Sequence, residues 1–403
     1  MAGIVVIGAG QAGASLVAGL RAGGHDGPIM LIGEEPVLPY QRPPLSKTYL
    51  GGEMTVERLF LRPPEFYAEQ RIDLRLATRA GAINRAARTV HVDGEVIGYD
   101  QLALTTGSRP RRLPASIGGD LDGVFVVRTI ADVDAMAPQF VASRRVLIVG
   151  GGYIGLEAAA VAAKAGLKVV LVEAAERILQ RVADPGTADY FRDLHRTHGV
   201  DIREGTGLAR LVGEDRVTAA ELADGTRLDV DFVIAGIGIA PCTELAEAAG
   251  LTIDNGVAVD EFGRTSDAAI WAAGDCASFP WRGTRIRLES VPHAIHQAET
   301  VAANMLGGEQ PYVPKPWFWS DQYDVKLQIA GLNTGYERVV TRKGDAGQVS
   351  FWYYAGGRLL AVDALNDPRA FMMARRLIEN GISPDPARVA DPATDLRSLA
   401  TPG

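Results

Sequence analysis

Two sets of glycines carry the first chemistry in this chain. Gly8, Gly10 and Gly13 stand in Gly8-Ala9-Gly10-Gln11-Ala12-Gly13, and Gly150, Gly152 and Gly155 stand in Gly150-Gly151-Gly152-Tyr153-Ile154-Gly155. Each set is a G-x-G-x-x-G, a spacing that allows a tight turn, a close backbone approach to a pyrophosphate and a helix packed near its strand. A helix that starts inside the motif also offers free N–H groups and a partial positive charge to phosphate oxygens. An acid follows each motif: Glu34 comes 21 positions after Gly13, and Glu173 comes 18 after Gly155. A carboxylate at that point accepts from ribose hydroxyls. A single such motif reads about equally well as a glycine-rich loop of some other α/β protein. Two, with matching acids and about 140 residues apart, point to two bound dinucleotides. Glu173 should also repel a 2′-phosphate, so the second site is expected to take NADH. Arg177 and Arg181 are the neighbours that could offset this.

The elements that must position these residues follow from the apolar runs. Ile4 to Ile7 and Ile29 to Ile32 read as strands on either side of a helix reaching Leu20, and Val146 to Val149 and Lys168 to Val172 repeat the pattern around a helix reaching Ala165. Residues 72 to 104 alternate in short runs, as small strands do. Leu102 to Pro110 and Asp231 to Pro241 both end a strand in glycine and proline, Gly238 among them, and Thr265 to Asp275 ends in Gly274-Asp275. A helix is expected from Val291-Pro292 to about Leu306. Between the first acid and these strands lies Leu38-Pro39-Tyr40-Gln41-Arg42-Pro43-Pro44-Leu45-Ser46-Lys47. Its three prolines make it stiff, and it carries Arg42 and Lys47 beside the first nucleotide site.

Bulk properties narrow the classes. The 403 residues suggest two or three domains, and 47% apolar with 22% charged residues is ordinary for an α/β protein. A net charge of −8 argues against a nucleic-acid binder. No apolar run suggests a membrane span, and the chain opens on its first strand without a basic leader, so a cytoplasmic protein is expected. The two cysteines, Cys242 and Cys276, are far apart. They cannot hold an iron–sulfur cluster or form a local redox dithiol. Redox chemistry must then sit on a bound cofactor or on another protein. His195/His198 and His293/His296 each form H-x-x-H on expected helices, but no third ligand accompanies them, so no metal site is expected. Met372-Met373 reads as core.

Together these parts resemble the flavoprotein reductases with two dinucleotide sites, the group that includes glutathione reductase. Within it they look most like the FAD-dependent ferredoxin reductases that serve bacterial cytochrome P450 and ring-hydroxylating dioxygenase systems. The carrying motifs are Arg42-Pro43-Pro44-Leu45-Ser46-Lys47, Gly150 through Glu157, Glu289-Ser290-Val291-Pro292 and Pro316-Trp317-Phe318-Trp319-Ser320-Asp321-Gln322. The resemblance implies an α/β fold with two Rossmann-like domains, for FAD and NAD, plus a C-terminal α+β interface domain. Its boundaries would give FAD-binding parts at 1–112 and 236–314, an NAD-binding domain at 113–235 and the interface domain at 315–403. FAD would be held at Gly8, Gly10, Ala12, Gly13, Glu34, Arg42, Lys47, Ala80, Arg128, Gly274, Asp275 and Val291. NADH would be held at Gly150, Gly152, Ile154, Gly155, Glu173, Arg181 and Gly238. Lys47 would lie near the flavin N5 and pair with Glu157, and Trp319 would flank the flavin or the nicotinamide. The helix opening at Val291 would turn its positive end to the flavin N1–O2 edge, favouring the reduced ring.

The implied reaction takes hydride from NADH and passes single electrons to a separate 2Fe–2S redoxin, with the reductase acting as a monomer. Disulfide reductases and peroxidases of this fold carry sulfur where this chain reads Pro44-Leu45-Ser46-Lys47, so both readings are disfavoured. Two others stay open on the same fold: an NADH oxidase or diaphorase without a dedicated redoxin, and an apoptosis-inducing-factor-like redox-switched binding protein. An acidic redoxin would need a local basic patch. The candidates are Arg285, Arg287, Lys315, Lys326, Arg338, Arg342, Lys343, Arg375 and Arg376.

Overall fold

The strand Gly3–Ile7 lies inside a seven-stranded sheet because its residues are apolar on both faces, as a strand covered on two sides requires. It pairs in parallel with Ile29–Ile32 on one side (Ile4 beside Ile29) and with Glu95–Leu104 on the other (Ile7 beside Leu104). Ile72–Arg75 extends the parallel run at one end, and Ile270–Ala272 joins Glu95–Leu104 in parallel. The short alternating segments Ala80–Asn84 and Thr89–Val92 complete the sheet as an antiparallel extension. Two helices, Gln11–Ala22 and Val291–Met305, pack together. A Cβ at Gly19 would come within 3.0 Å of the Ala302 methyl.

The computed structural model describes residues 3–345 and 347–400. The chain divides into two units. One holds Met1–Arg42, Thr55–Arg109 and Ile239–Pro316, and contains the sheet above. The other holds Pro43–Met54, Pro110–Gly238 and Trp317–Gly403. The expected first nucleotide domain, 1–112, includes Pro43–Met54, whereas contacts within the chain group that segment with the second unit.

In that second unit the fingerprint strand Arg145–Val149 sits mid-sheet, flanked in parallel by Lys168–Val172 and Phe232–Ala235. Asp201–Arg203 and Val124–Phe125 close the edges. The helix Tyr153–Lys164 buries Leu156 together with Ala158 to Ala160, whose small side chains let it lie close to the sheet. The C-terminal part is a five-stranded antiparallel sheet in the order Trp317–Gln322, Val325–Gly331, Arg358–Leu365, Val349–Ala355, Arg338–Lys343. The helix Pro368–Glu379 packs Ala370, Phe371, Ala374 and Leu377 into its core. Met373 joins that core in part, but Met372 is 70% exposed, so only one of the two methionines behaves as expected. The helical period turns adjacent residues about 100° apart, and here the turn carries Met372 past the edge of the buried face.

The central strand of that sheet carries a buried acid. Asp363 is fully buried, and its Oδ2 accepts from Thr187 Oγ1 (2.9 Å) and from the Tyr353 hydroxyl. Its Oδ1 has no partner among the described residues. The Asp184 carboxylate caps the helix Pro185–Thr197, and its Oδ1 lies 3.2 Å from the same Tyr353 hydroxyl. Burial pushes the Asp363 carboxyl up to about 7, with Tyr353 and Thr187 drawing it down and Asp184 raising it further. A carboxyl raised in the folded state lends stability that is complete below about pH 4 and lost as pH climbs through about 7. The unfolding temperature of Asp363→Asn should therefore gain on wild type as pH rises from about 5 to about 8. Thermal unfolding of the FAD-loaded protein across that range measures it. A difference independent of pH would contradict the assignment.

Candidate functional site

The first cradle is built by steric exclusion. Gly8 adopts φ +113°, where a Cβ would lie 2.2 Å from the Thr105 carbonyl oxygen. A Cβ on Gly13 would lie 2.0 Å from the carbonyl oxygen of Gly8. Gly10 is different: its Cβ would meet open space, and it caps the helix with no side-chain hydrogen bond. The turn is therefore closed on the protein side and open, with free amides, on the other, as a pyrophosphate requires. Gly274, at φ +81°, brings the late strand to the same place, since a Cβ there would sit 2.9 Å from Ala12 Cβ and 3.9 Å from Ala294 Cβ. The N-terminal turns of two helices thus converge on Gly274-Asp275, and both offer positive ends. The Gly274 amide donates to Gln297 Oε1, and the buried Gln297 Nε2 and His293 Nε2 have no partner among the described residues. These features fit a bound FAD.

Around this cradle the expected residues fall unevenly. Asp275 Oδ2 accepts from Ser108 Oγ at 2.8 Å, and Val291 opens its helix, which Ser290 caps through the His293 amide. Arg42 is anchored by Glu35 (2.6 Å) and by the Tyr40 hydroxyl (2.9 Å). The sequence reading singled out Glu34 and passed over Glu35. The Glu34 side chain is 73% exposed and 3.7 Å from Arg79, open to a ligand, whereas Glu35 orients Arg42. Ala80 starts a strand and packs against the sheet core.

The second cradle repeats the first. Gly150 has φ +108° with its Cβ position 2.4 Å from the Gly236 carbonyl oxygen, the Gly155 Cβ position is 2.1 Å from the Gly150 oxygen, and Gly152 faces open space. Glu173 Oε2 accepts from the Gly151 amide (2.7 Å) and Oε1 from the Ala175 amide (2.8 Å), which fixes the carboxylate at the strand end. Ile154 and Ile237 are large aliphatic side chains left 43% and 37% exposed on the same unit. Apolar surface beside an open phosphate turn fits a nicotinamide dinucleotide. Arg177 donates to the carbonyl oxygens of Ile178, Ala183 and Asp184, so its charge is spent inside its own loop. Arg181 is exposed, and Gly238 takes φ +95°.

Glu157 lies one turn into the second fingerprint helix, 2% exposed. Its Oε1 is 2.9 Å from Lys47 Nζ and accepts from Ser320 Oγ at 2.6 Å, while Oε2 accepts from Ser46 Oγ at 2.5 Å. The expected Lys47–Glu157 pair is therefore present, with two serines whose role the sequence reading did not identify. Both stood inside quoted motifs, but nothing in spacing alone says that their hydroxyls share one acceptor. Trp319 stacks on Trp317 with centroids 5.4 Å apart. Phe318 lies 5.0 Å from the ring of Tyr153, whose buried hydroxyl has no partner among the described residues. Arg128 directly precedes Thr129, the capping residue of the helix Ile130–Met136.

The nine basic candidates do not behave alike. Arg342 is buried and donates to four backbone oxygens between Val389 and Thr394. Arg287 pairs with Glu289, and Arg375 pairs with Glu379 while lying over Trp317. Lys326 and Arg338 occupy strands separated by two others in the C-terminal sheet. Structural duties thus take several of these charges out of any docking patch.

Residues 2–298 match the pyridine nucleotide-disulphide oxidoreductase family, and residues 317–400 match the reductase C-terminal family. Putidaredoxin reductase of Pseudomonas putida is 43% identical, covering 98% of this chain and 96% of that protein. Rhodocoxin reductase of Rhodococcus erythropolis is 41% identical over 98% and 93%. Among solved structures, the chain resembles that in the covalent putidaredoxin reductase–putidaredoxin complex, with a TM-score of 0.95, 42% identity and 99% and 98% coverage. It resembles equally the ferredoxin reductase of the CYP199A2 system from Rhodopseudomonas palustris, with a TM-score of 0.95, 37% identity and full coverage of both chains. With two glycine cradles in place and matches spanning nearly its whole length, the chain belongs to the pyridine nucleotide-disulphide oxidoreductase family and carries that family's reductase C-terminal domain.

Proposed function

We propose that this protein is an NADH-dependent ferredoxin reductase, loaded with FAD, that supplies single electrons to a 2Fe–2S redoxin serving a cytochrome P450 or a ring-hydroxylating dioxygenase. One observation carries the reading. Where a thiol reductase of this fold needs sulfur, Ser46 and Lys47 occupy the chain, and both are bound to Glu157. Electrons then have no thiol outlet beside the cofactor and must leave to another molecule. The named relatives, reductases of redoxins, support the same conclusion. No helix among the described residues is long and apolar enough to cross a membrane. The compartment we propose is the cytoplasm, where the nicotinamide pool lies.

Bound FAD supplies a hydride acceptor that can release electrons one at a time. The chain's own residues do the rest. The amides at Gly10 and Gly152 hold the two pyrophosphates, and the carboxylates Glu34 and Glu173 take the ribose hydroxyls. Lys47, held by Glu157, provides a fixed cation for the cofactor's negative charge. Trp319 and the apolar Ile154 exclude water from the nicotinamide.

Reduction of cytochrome c by NADH should rise at least about tenfold when a cognate 2Fe–2S redoxin is added. An equal rate without redoxin would favour the diaphorase reading. At the second ribose site, kcat/KM for NADH should exceed that for NADPH by at least about tenfold, about 1.4 kcal/mol, because Glu173 repels a 2′-phosphate and Arg177 is already committed. Equal steady-state efficiencies would mean that Arg181 overrides the carboxylate. Replacing Lys47 by Met removes a cation and leaves the buried Glu157 charge uncompensated. Both changes oppose added negative charge, so the flavin potential should fall by the equivalent of roughly 1–3 kcal/mol. Potentiometric titration measures this, and an unchanged or raised potential would remove Lys47 from the cofactor's environment.

A further inference from the structure

The two donors that Glu157 receives from serine have different histories. Ser46 lies in the short turn that also carries Lys47, and its hydroxyl ends at the carboxylate. Ser320 belongs to a longer series that runs through the buried interior. Its Oγ accepts from Gln322 Nε2 at 3.2 Å, and Gln322 Oε1 lies 2.8 Å from His195 Nε2. His195 Nδ1 lies 3.2 Å from the Tyr323 hydroxyl. Ser320, Gln322 and His195 are buried. Tyr323 is partly covered and stacks on the exposed His198, with ring centroids 3.7 Å apart, so the series ends at the surface.

The direction of every proton in this series follows from its inner end. An ionised carboxylate only accepts, so Ser320 must donate to Glu157. The serine hydroxyl has then used its proton and can only accept from Gln322, which must present its NH₂ group. The glutamine oxygen consequently faces His195 and needs a donor there, which places the imidazole proton on Nε2. Nδ1 is left bare and accepts from Tyr323. Four side chains thus have one consistent arrangement.

The outer end decides whether that arrangement holds. Without a donor at position 195, the buried Gln322 oxygen would be unsatisfied, a cost of about 1–3 kcal/mol. Turning the amide over would give that oxygen the Ser320 hydroxyl as its donor and leave the NH₂ group facing position 195 instead, so the amide orientation is no longer fixed. The serine proton could then leave Glu157 for the glutamine oxygen.

We infer that His195 is a positioning residue for the electron-transfer reaction: through Gln322 and Ser320 it keeps the Ser320 proton on Glu157 and so holds that carboxylate ready for Lys47. The inference rests on the role proposed above for Lys47. It also accounts for a histidine that sequence spacing alone leaves as an ordinary helix residue. On the helix Pro185–Thr197, Thr187, Ala188, Phe191 and His195 share the buried face. Burial draws His195 down to about 4, with Gln322 opposing and the His198 charge assisting, so the ring is neutral near pH 7 as the series requires. The titratable groups around Glu157 and His195 are few. Lys47 faces Glu157 from the turn, and Tyr153, one helical turn earlier, senses the charges of both Glu157 and Asp363. His198 and Tyr323 flank His195.

The test follows the Glu157 carboxylate stretching bands in the FAD-loaded protein by isotope-edited infrared spectroscopy at about pH 7, beside the flavin potential. His195→Leu, which keeps a side chain of similar bulk but removes the donor, should shift the carboxylate bands to those of a carboxylate with one hydrogen bond fewer. Ser320→Ala should do the same and guards against a fold defect in the leucine variant. His195→Gln, whose amide can donate to Gln322, should follow wild type. The flavin potentials of the leucine and alanine variants should move away from that of wild type in the same direction, and that of His195→Gln should not move. An infrared profile unchanged by His195→Leu, or one that His195→Gln fails to restore, overturns the inference. If the infrared shift appears but Lys47→Met leaves the potential of wild type untouched, the role of Lys47 in the proposed function falls, and with it the claim that His195 serves the reaction.

Discussion

A carboxylate buried to 2% exposure cannot persist without donors, and the second unit is assembled around supplying them to Glu157. The donors come from two stretches far from it in sequence: Ser46 and Lys47 from the proline-rich segment and Ser320 from the C-terminal sheet, while Glu157 itself stands on the fingerprint helix. This explains why Pro43–Met54 leaves the first unit, whose chain surrounds it on both sides, and belongs with the second. The cost of removing any one partner is the cost of an unpaired buried charge, which exceeds what the same contact would be worth at a surface. Lys47 is thereby held by buried protein groups.

The two cradles rest on a different constraint, the absence of a Cβ. At Gly8 and Gly150 both the positive φ and the nearby carbonyl oxygen forbid a side chain, and at Gly13 and Gly155 the helix approaches the turn too closely for one. Gly10 and Gly152 are glycines for the opposite reason, because the space beside them is left for a ligand. Sterics of this kind act within a few residues, so they are written into local sequence. Both glycine turns, with their strands and helices, could be read from spacing for that reason.

What could not be read depends on contacts between distant segments. The neighbouring acids Glu34 and Glu35 look equivalent in sequence, and only the position of Arg42 separates an exposed carboxylate from a structural one. The basic residues of the C-terminal third read as one set, yet Arg342 is enclosed by backbone oxygens while Lys326 and Arg338 sit on well-separated strands. His195 was the nearest to being legible. Its spacing from Ala188 and Phe191 places it on the inner face of its helix, but its partners Gln322 and Tyr323 lie more than a hundred residues away. The Lys47–Glu157 pair was anticipated through family resemblance, and the serines that complete it were not.

The cysteines set the final constraint on function. Cys276 is buried, Cys242 is half-buried, and both are free thiols with no cysteine partner. A two-electron donor, a one-electron carrier and no thiol between them leave a single route, through the cofactor to an external cluster. Counting electrons tests this directly. The FAD-loaded protein is mixed without oxygen with limiting NADH and an excess of oxidised 2Fe–2S redoxin, and reduced clusters are counted by their absorbance. The account predicts two clusters reduced for each NADH consumed. NADH consumed without cluster reduction, or consumed only when oxygen is admitted, would contradict it.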